Sequence, residues 1–510
     1  MFQYNVLTEG WIPVETLDGK SKLVGILEVL IHAHEIRCVK AASPLVTYGI
    51  QRTLIALLID AFRPSDIDAL AEIISKGKFD ETTLNGYIEE CIVEGSSFNL
   101  FDENRPFLQN KFDGKLDTKI SFINKLFLEI PEGNNHAHFV HRMESERFFT
   151  PAECLQALCS LTAFATNCGT NAYFSINGAP PIYFLYAGKN LFETLSASMI
   201  AESEHRGILL DNPPIVWRNF VEVKQGEQVA KTSLLYGLTC QPRRVKLIPM
   251  KQDGHILVKE MYYSIGWNFK GLPNWKDPHV VYIYDKKGNY SLKAREGRAI
   301  WRDLGNIMNT NSSPQILNKI NEKFDMDVNI VLLNSFGIVG NFKGPVFAVN
   351  SWFEESLNLD TRILNCESKL SFVNSVQSKI EDINSVLCRI LKKSIKQLQG
   401  QKGSDKEHSR YVNLVEQAKT LYFSTLRTYF LNSFCNNVSN IEASSYDWEL
   451  DIKRDAGKNI KTSAEFAFNT VCNNIGTSAK TLVWRAIAEN MFRQGIYKEL
   501  KGGWLDEQRY

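Results

Sequence analysis

PLVTYGIQRTLIALLIDAF, residues 44–62, has no wet face. Leu54, Ile55, Leu57, Leu58 and Ile59 crowd its second half, so a helix built from it is apolar on nearly every side. Surface helices keep a polar stripe; a helix without one is predicted to lie in the middle of a domain, with other elements packed round it. The neighbouring sequence supplies those elements. Before it, Asn5–Val14 alternates around Trp11 and Pro13, which predicts an edge strand, and residues 23–36 carry a helical pattern. After it, residues 65–76 and 81–94 read as two more helices, closed by the loop SSFNLFDENRPFLQN.

Past a further helix at PAECLQAL the pattern turns to strands. Residues 181–186, 245–248, 256–263 and 280–284 read as β, and the last runs into the hairpin signal DKKGN. NIVLLNSFGIVGNFKGPVFAVNSWF, residues 329–353, is two β-runs joined by a glycine-bracketed tip at Gly340–Gly344, which places Asn341, Phe342 and Lys343 outward. Beyond Cys366 the period lengthens again. Val373, Val376, Ile380, Ile383, Leu387 and Ile390 alternate spacings of three and four, the narrow stripe of a bundle helix, and three further helical segments follow. The predicted fold is therefore α+β: a large mixed α/β N-terminal domain over residues 1–362, then a C-terminal four-helix bundle over 367–510.

Composition sets limits on function. Lys and Arg total 58 against 57 Asp and Glu, a formal charge of +1, so no global field draws the molecule to a polyanion and any nucleic-acid contact must be local. Ten cysteines without a C-x-x-C pair fit neither a disulfide scaffold nor a zinc ribbon and predict a reducing, cytoplasmic setting. The first residues lack a basic segment followed by an apolar one, and no eighteen apolar residues run together, so neither secretion nor membrane contact is expected.

The chain offers little chemistry. His136, His138 and His141 form H-x-H-x-x-H, but only Glu144 lies near and no cysteine or H-E-x-x-H helix supports them, so no metal is expected. No segment matches G-x-G-x-x-G, G-x-x-x-x-G-K-[ST] or G-x-S-x-G, so no cofactor and no enzymatic activity are expected. Contact surfaces are better represented. Residues 131–178 place one polar Asn/Gly loop on each side of the PAECLQAL helix, and such loops expose backbone N–H groups and short amides to phosphates or base edges. Basic residues cluster in QPRRVKL (Arg243, Arg244, Lys246), at Lys270 and Lys276, and from Lys286 to Arg298, which makes the middle third a candidate phosphate-binding surface.

Several of these segments occur in an order that resembles the CasA family, the large subunits of the type I-E CRISPR surveillance complex Cascade. They are FQYNVLTEGWIPV, PEGNN with the PAECLQAL helix, LFETL, LTCQPRRVKL, W-x-D-P at Trp275–Pro278 and WRDL at Trp301–Leu304. The resemblance spans nearly the whole chain. It implies a non-catalytic subunit that recognises a protospacer-adjacent motif in duplex DNA, separates the strands to start an R-loop and helps recruit a nuclease. Implied partners are guide RNA, target double-stranded DNA, the backbone and small helical subunits, and a helicase-nuclease or other nuclease.

Carried over by position, the family's glycine loop falls on Asn167 to Thr170, with Gly169 the best match and Asn167 and Asn171 as added side-chain contacts. Its wedge falls on the hairpin tip, with Phe342 where some members carry Gln, flanked by Asn341 and Lys343. Its minor-groove lysine falls between Lys259 and Lys270, both candidates. The loop that meets the guide's 5′ handle falls on Gly133 to His141, with Asn134, Asn135 and a stacking Phe139. Lys392, Lys393 and Lys396 form a basic bundle face that fits a displaced strand. Relatives with a cysteine-rich insertion after QPRRVKL differ from this chain, which has KQDGH there. Two other readings are a structural assembly subunit that docks guide RNA and proteins without reading the tag, and a metal-dependent hydrolase on His136, His138 and His141.

Overall fold

The computed structural model describes residues 2–115, 117–130, 147–166, 173–206, 215–218, 232–266, 268–269, 275–285, 288–325, 328–343, 346–399, 405–442 and 448–505. They form two compact units, one of Met1–Glu296 with Thr310–Asn358, the other of Gly297–Asn309 with Leu359–Tyr510.

The helix Pro44–Phe62 is the core of the first unit, as its composition demands. Ser43 caps it through Leu45 N–H, Pro44 fills the first turn, where its missing N–H costs nothing, and Arg63 ends it in the left-handed region at φ 46°. It is long and apolar enough to cross a membrane, yet 89% of its most apolar window is buried inside the protein. The helix Pro151–Phe164 packs across it. Gly49 makes that crossing possible, because a Cβ there would stand 2.6 Å from the main chain of Cys159 and Ser160.

One charge pair is buried with the helix. Arg52 and Asp277 meet at 2.7 Å, and the arginine also donates to the carbonyls of Leu238 (2.9 Å) and Gly237 (3.1 Å) at the end of the short helix Leu234–Thr239. Asn177 donates to Asp277 at 2.8 Å and accepts from the Trp275 indole at 2.6 Å. His279 takes the Asp277 carboxylate on its main-chain N–H at 3.0 Å and has its ring Nε2 3.1 Å from Ser198 O. The W-x-D-P segment is thus a structural knot.

Three small antiparallel sheets surround this core. In the first, Ile12–Thr16 lies between Ser21–Val24 and Ile36–Val39, a central strand where an edge strand was expected. Pro13 is tolerated there because the ladder with Ile36–Val39 begins only at Val14, while the Pro13 carbonyl accepts from Lys40 N–H at 2.9 Å. Residues 23–36 are accordingly not one helix but a strand end, the short helix Ile26–Ile31 and the start of the next strand. The second sheet places Ile330–Lys343 between Val346–Asp360 and Tyr183–Tyr186, and the third places His255–Ile265 between Arg243–Gln252 and Ile120–Phe122. DKKGN joins the hairpin Tyr282–Asp285 and Gly288–Ser291.

The second unit is the expected bundle, with long helices Glu367–Gln399, Asp405–Thr428, Trp448–Asn473 and Ala479–Glu499. The stripe Val373, Val376, Ile380, Ile383, Leu387 and Ile390 is buried throughout; the third helix packs on the first two, and the fourth lies along the first. WRDL belongs here and not with the N-terminal domain. Trp301 is buried against Phe430, ring centroids 5.1 Å apart, and Gln377 bonds both Trp301 O and Gly305 N–H at 2.8 Å. Arg298 and Arg302 converge on Glu381 at 3.0 and 2.8 Å. A tryptophan between two arginines needs an apolar wall beside an acid: Phe423 and Phe430 provide the wall, and Glu381 of the first bundle helix provides the acid.

Burial holds the pKa of His279 down, from 6.5 to about 4, so the native state keeps the ring neutral while an unfolded chain would protonate it. The stability this confers is fully present above the unfolded pKa and is lost as pH falls from about 6.5 towards about 4. Thermal unfolding followed from about pH 7.5 to about pH 5 should show the melting temperature falling, and His279→Gln should make that fall shallower. An unchanged slope in the variant would assign the acid sensitivity to other groups.

Candidate nucleic-acid interface

The ribbon Ile330–Lys343/Val346–Asp360 is anchored by its third strand only at Leu333 to Phe336, which pair with Tyr186 to Tyr183. From Gly337 onward no third strand flanks it among the described residues. Two glycines shape this free part. A Cβ on Gly337 would stand 2.7 Å from the Phe353 ring, and one on Gly340 would stand 2.5 Å from both the Phe347 ring and Ala348 O. Gly340 is therefore a strand residue roofed by an aromatic ring, not the first residue of a turn. The strand continues through Lys343, and positions 344–345 lie outside the described residues.

Phe342 is 58% exposed, yet it is held. Its ring meets Phe347 edge-to-face at 5.3 Å and Phe174 at 5.9 Å, and Phe174 and Phe347 meet at 6.2 Å. Each such contact contributes roughly 0.5–1.5 kcal/mol beyond burial, enough to fix one ring orientation on an otherwise solvated ribbon. Asn341 beside it is exposed.

Phe174 closes the 167–172 segment, whose Asn167, Gly169 and Asn171 lie outside the described residues. The flanks of that segment are well defined. Thr150 and Glu153 form a capping box at the start of the Pro151–Phe164 helix, and at its end Ser175 N–H donates to Ala165 O at 3.2 Å. Arg243 donates to Thr166 O at 2.7 Å and to Tyr173 O. The Phe174–Phe342 contact brings this flank and the hairpin side by side.

QPRRVKL is not a phosphate-binding face. Arg243 is 2% exposed and its partners are main-chain carbonyls; Arg244 is buried against Asp117 at 2.8 Å; Lys246 donates to Asp102 O, and burial lowers its pKa. Lys276 lies over the Tyr282 ring at 4.1 Å, burial lowering its pKa as well. Carbonyl acceptors are supplied by distant segments and leave no trace in a count of charges.

The two lysine candidates separate. Ile248 pairs with Glu260 but Pro249 pairs with Val258, so Lys259 is the extra residue of a β-bulge, and its Nζ lies 5.9 Å from the Phe148 ring centre. Phe148 and Phe149 follow directly on residues 131–146, which include Asn134, Asn135, Phe139 and the three histidines and lie outside the described residues. The 14-residue helix Pro151–Phe164 then spans about 20 Å before Thr166, so Lys259 stands at the opposite end of that helix from the Phe342 cluster. Lys270 is outside the described residues, but Phe269 before it is buried with Ile176, Tyr236, Cys240 and Trp275, close to the flank of the 167–172 segment. In the bundle Lys392, Lys393 and Lys396 are exposed while Leu391, Ser394 and Ile395 between them are buried. Among the described residues no group of three or more His, Cys, Asp or Glu is placed to hold a metal ion.

Comparison with known proteins places this architecture. Residues 5–458 match the model of the family described as CRISPR-associated protein Cse1. A CRISPR-associated protein CasA/Cse1 of Thermus thermophilus is 29% identical over 315 residues, so the match spans 60% of this chain and 60% of that relative. The crystal structure of CasA from Thermus thermophilus superposes with a TM-score of 0.76 at 21% identity, covering 98% of this chain and 100% of that one. Cse1 from Acidimicrobium ferrooxidans gives 0.74 at 15% identity, with 98% of each chain covered. A chain of a CRISPR RNA-guided surveillance complex gives 0.65 at 17% identity, covering 92% of this chain and 99% of that one.

The roofed glycine makes a direct prediction. Gly340→Val should displace the Phe347 ring and loosen the ribbon locally, raising amide hydrogen exchange over residues 338–350 while the exchange of the Pro44–Phe62 core stays as it was. Unchanged exchange at the ribbon would show that Phe347 can move aside without cost.

Proposed function

This chain belongs to the family of CRISPR-associated protein Cse1, and on that premise we propose that it is the non-catalytic large subunit of a cytoplasmic, RNA-guided surveillance complex that finds a short tag in duplex DNA and starts strand separation. The observation that carries the proposal is the contact of Phe342 with Phe174, which sets an exposed aromatic on a free-standing ribbon beside the flank of an Asn/Gly segment.

The physics of the task matches those two parts. Sequence identity is tested by base pairing with the guide, so the protein has only to recognise a short tag and open the first step. A segment of small and amide residues can approach the minor groove, whose degenerate pattern suits a reader that accepts several tags. In this reading Asn167, Gly169 and Asn171 make that approach, and Lys270 is the minor-groove lysine. Unstacking one base step costs on the order of a few kcal/mol, and an aromatic wedge offsets it by stacking in the gap. Phe342, Asn341 and Lys343 supply the wedge.

The other contacts follow the same division. The region of Asn134, Asn135 and Phe139, with Lys259 and Phe148 at its exit, takes the guide's 5′ handle, where an exposed aromatic can stack on a splayed base. Lys392, Lys393 and Lys396 track the displaced strand, the bundle meets the small helical subunit, and the opened complex recruits the nuclease. None of these steps asks this chain for a nucleophile or a general base.

In the assembled complex with guide RNA, Phe342→Ala should weaken binding to tagged duplex by about tenfold or more, with less than about a threefold change on a target already opened as a bubble. Equal loss on both substrates would remove the wedge. Tag discrimination that survives in a complex lacking this chain would instead make it an assembly subunit. Charge reversal at Lys392, Lys393 and Lys396 together should lower target affinity and flatten its salt dependence, by about 0.7 in the log–log slope for each single-strand phosphate no longer neutralised. An unaltered slope would show that face to be merely solvated.

A further inference from the structure

We propose that Arg243 is a positioning residue for tag recognition: its buried guanidinium binds the carbonyls of Thr166 and Tyr173, which flank positions 167–172, and so fixes that flank and Phe174 beside Phe342. The proposal rests on the reading of that segment as the part that meets DNA.

The geometry is specific. Arg243 opens the strand Arg243–Gln252 and pairs across to Ile265. Gly266 lets the two strand ends close on each other, since a Cβ there would stand 2.6 Å from the Pro242 carbonyl. From this fixed base the guanidinium donates through Nη2 to Thr166 O at 2.7 Å and through Nη1 to Tyr173 O and, at 3.0 Å, to Pro242 O. Thr166 is the last described residue before the segment and Tyr173 the first after it. One side chain from a distant strand therefore ties the two ends of the segment together.

Arginine is the residue this job needs. Its planar fork holds several donors at fixed angles and can bind two diverging carbonyls at once, whereas lysine offers one compact charge. The Nε–H is buried with no hydrogen-bond partner, so the site was not built for the best possible satisfaction of the cation. A clamp of this kind acts before DNA arrives. Fixing the ends of a short segment in advance removes part of the ordering cost that binding would otherwise bear. Tyr173 leads directly into Phe174, so the same clamp fixes the ring on which Phe342 rests. The next residue, Arg244, is equally buried but bonds Asp117 and the Lys111 carbonyl, which makes it a control for the loss of a buried arginine.

The test uses the full chain in its guide-RNA complex. Arg243→Lys, Arg244→Lys and Gly169→Asp are compared for melting temperature and for affinity to tagged duplex, untagged duplex and a pre-opened target. Arg243→Lys should lose about tenfold or more of the tagged-to-untagged ratio while its affinity for the pre-opened target stays within about threefold. Arg244→Lys should lower the melting temperature and leave the ratio intact, a pattern that a general loss of stability in Arg243→Lys would not break. If Gly169→Asp destroys the ratio and Arg243→Lys preserves it, the clamp is wrong and the segment still reads the tag. If both preserve it, the segment does not read the tag and the clamp falls with it. Should Arg243→Lys fail to enter the complex, hydrogen exchange of the wild type decides: the Ser175 amide should be protected before DNA is added, and fast exchange there would overturn the proposal.

Discussion

Arg52 and Asp277 meet with neither side chain exposed to solvent, and the parts of the N-terminal unit that matter most are tied to that meeting. Burial alone would push the Asp277 pKa up; Arg52, His279 and the Asn177 amide outweigh it and hold the carboxyl below its usual value. Removing one partner of such a pair costs about 3–5 kcal/mol, because the other is left buried and uncompensated. The network reaches outward in two directions. Asn177 lies just past Phe174, and its amide also donates to the Tyr183 hydroxyl at 3.0 Å. Tyr183 begins the strand that pairs with Phe336 of the long ribbon, and its ring stacks on Tyr48 of the central helix at 4.5 Å. The flank of the Asn/Gly segment and the root of the hairpin are therefore referenced to the same buried charge.

From that base the exposed Phe342 can be held without being buried. A two-stranded ribbon alone is marginally stable in water, and this one compensates with rings laid over glycines: Phe353 over Gly337, then Phe347 over Gly340. The second ring also braces Phe342. Interplanar angles of 79° to Phe347 and 71° to Phe174 hold the Phe342 ring in one orientation while 58% of the residue stays exposed.

Elements whose signal is local were legible in the sequence. The largely apolar helix at 44–62 and the three-four stripe from Val373 to Ile390 read directly as core and bundle, because burial on nearly every side or on one seam is written into neighbouring residues. Phe342 is exposed as expected, but on a strand and not at the expected turn. What failed depended on residues far away. Pro13 suggested an edge, since only the register with Ile36–Val39 reveals that its nitrogen lies beyond the ladder. Gly340 suggested a turn, since only the fold brings Phe347 over it. Arg243 and Arg244 suggested a charged surface, and WRDL suggested the N-terminal domain, because the carbonyls, Asp117 and Glu381 that receive these arginines come from elsewhere in the chain.

The misread arginines bear on how such a chain can meet DNA. Arg52, Arg218, Arg243 and Arg244 in one unit are buried on carboxylates or carbonyls, and the half-buried Arg302 in the other is bound to Glu381, so little of their charge projects into solvent. With 58 basic residues against 57 acidic ones, little long-range field remains to draw the chain along a duplex, and beyond a Debye length of about 8 Å what remains is screened. In the function proposed above, discrimination then comes from short-range contacts that depend on shape: small residues entering a groove, an amide at its floor, a ring against a base step. A reader of that kind releases a wrong site quickly, because no strong counterion term holds it there. On that proposal residence at a correct site is left to the base pairs that form once the step is opened, and Phe342 needs a fixed orientation more than it needs charge.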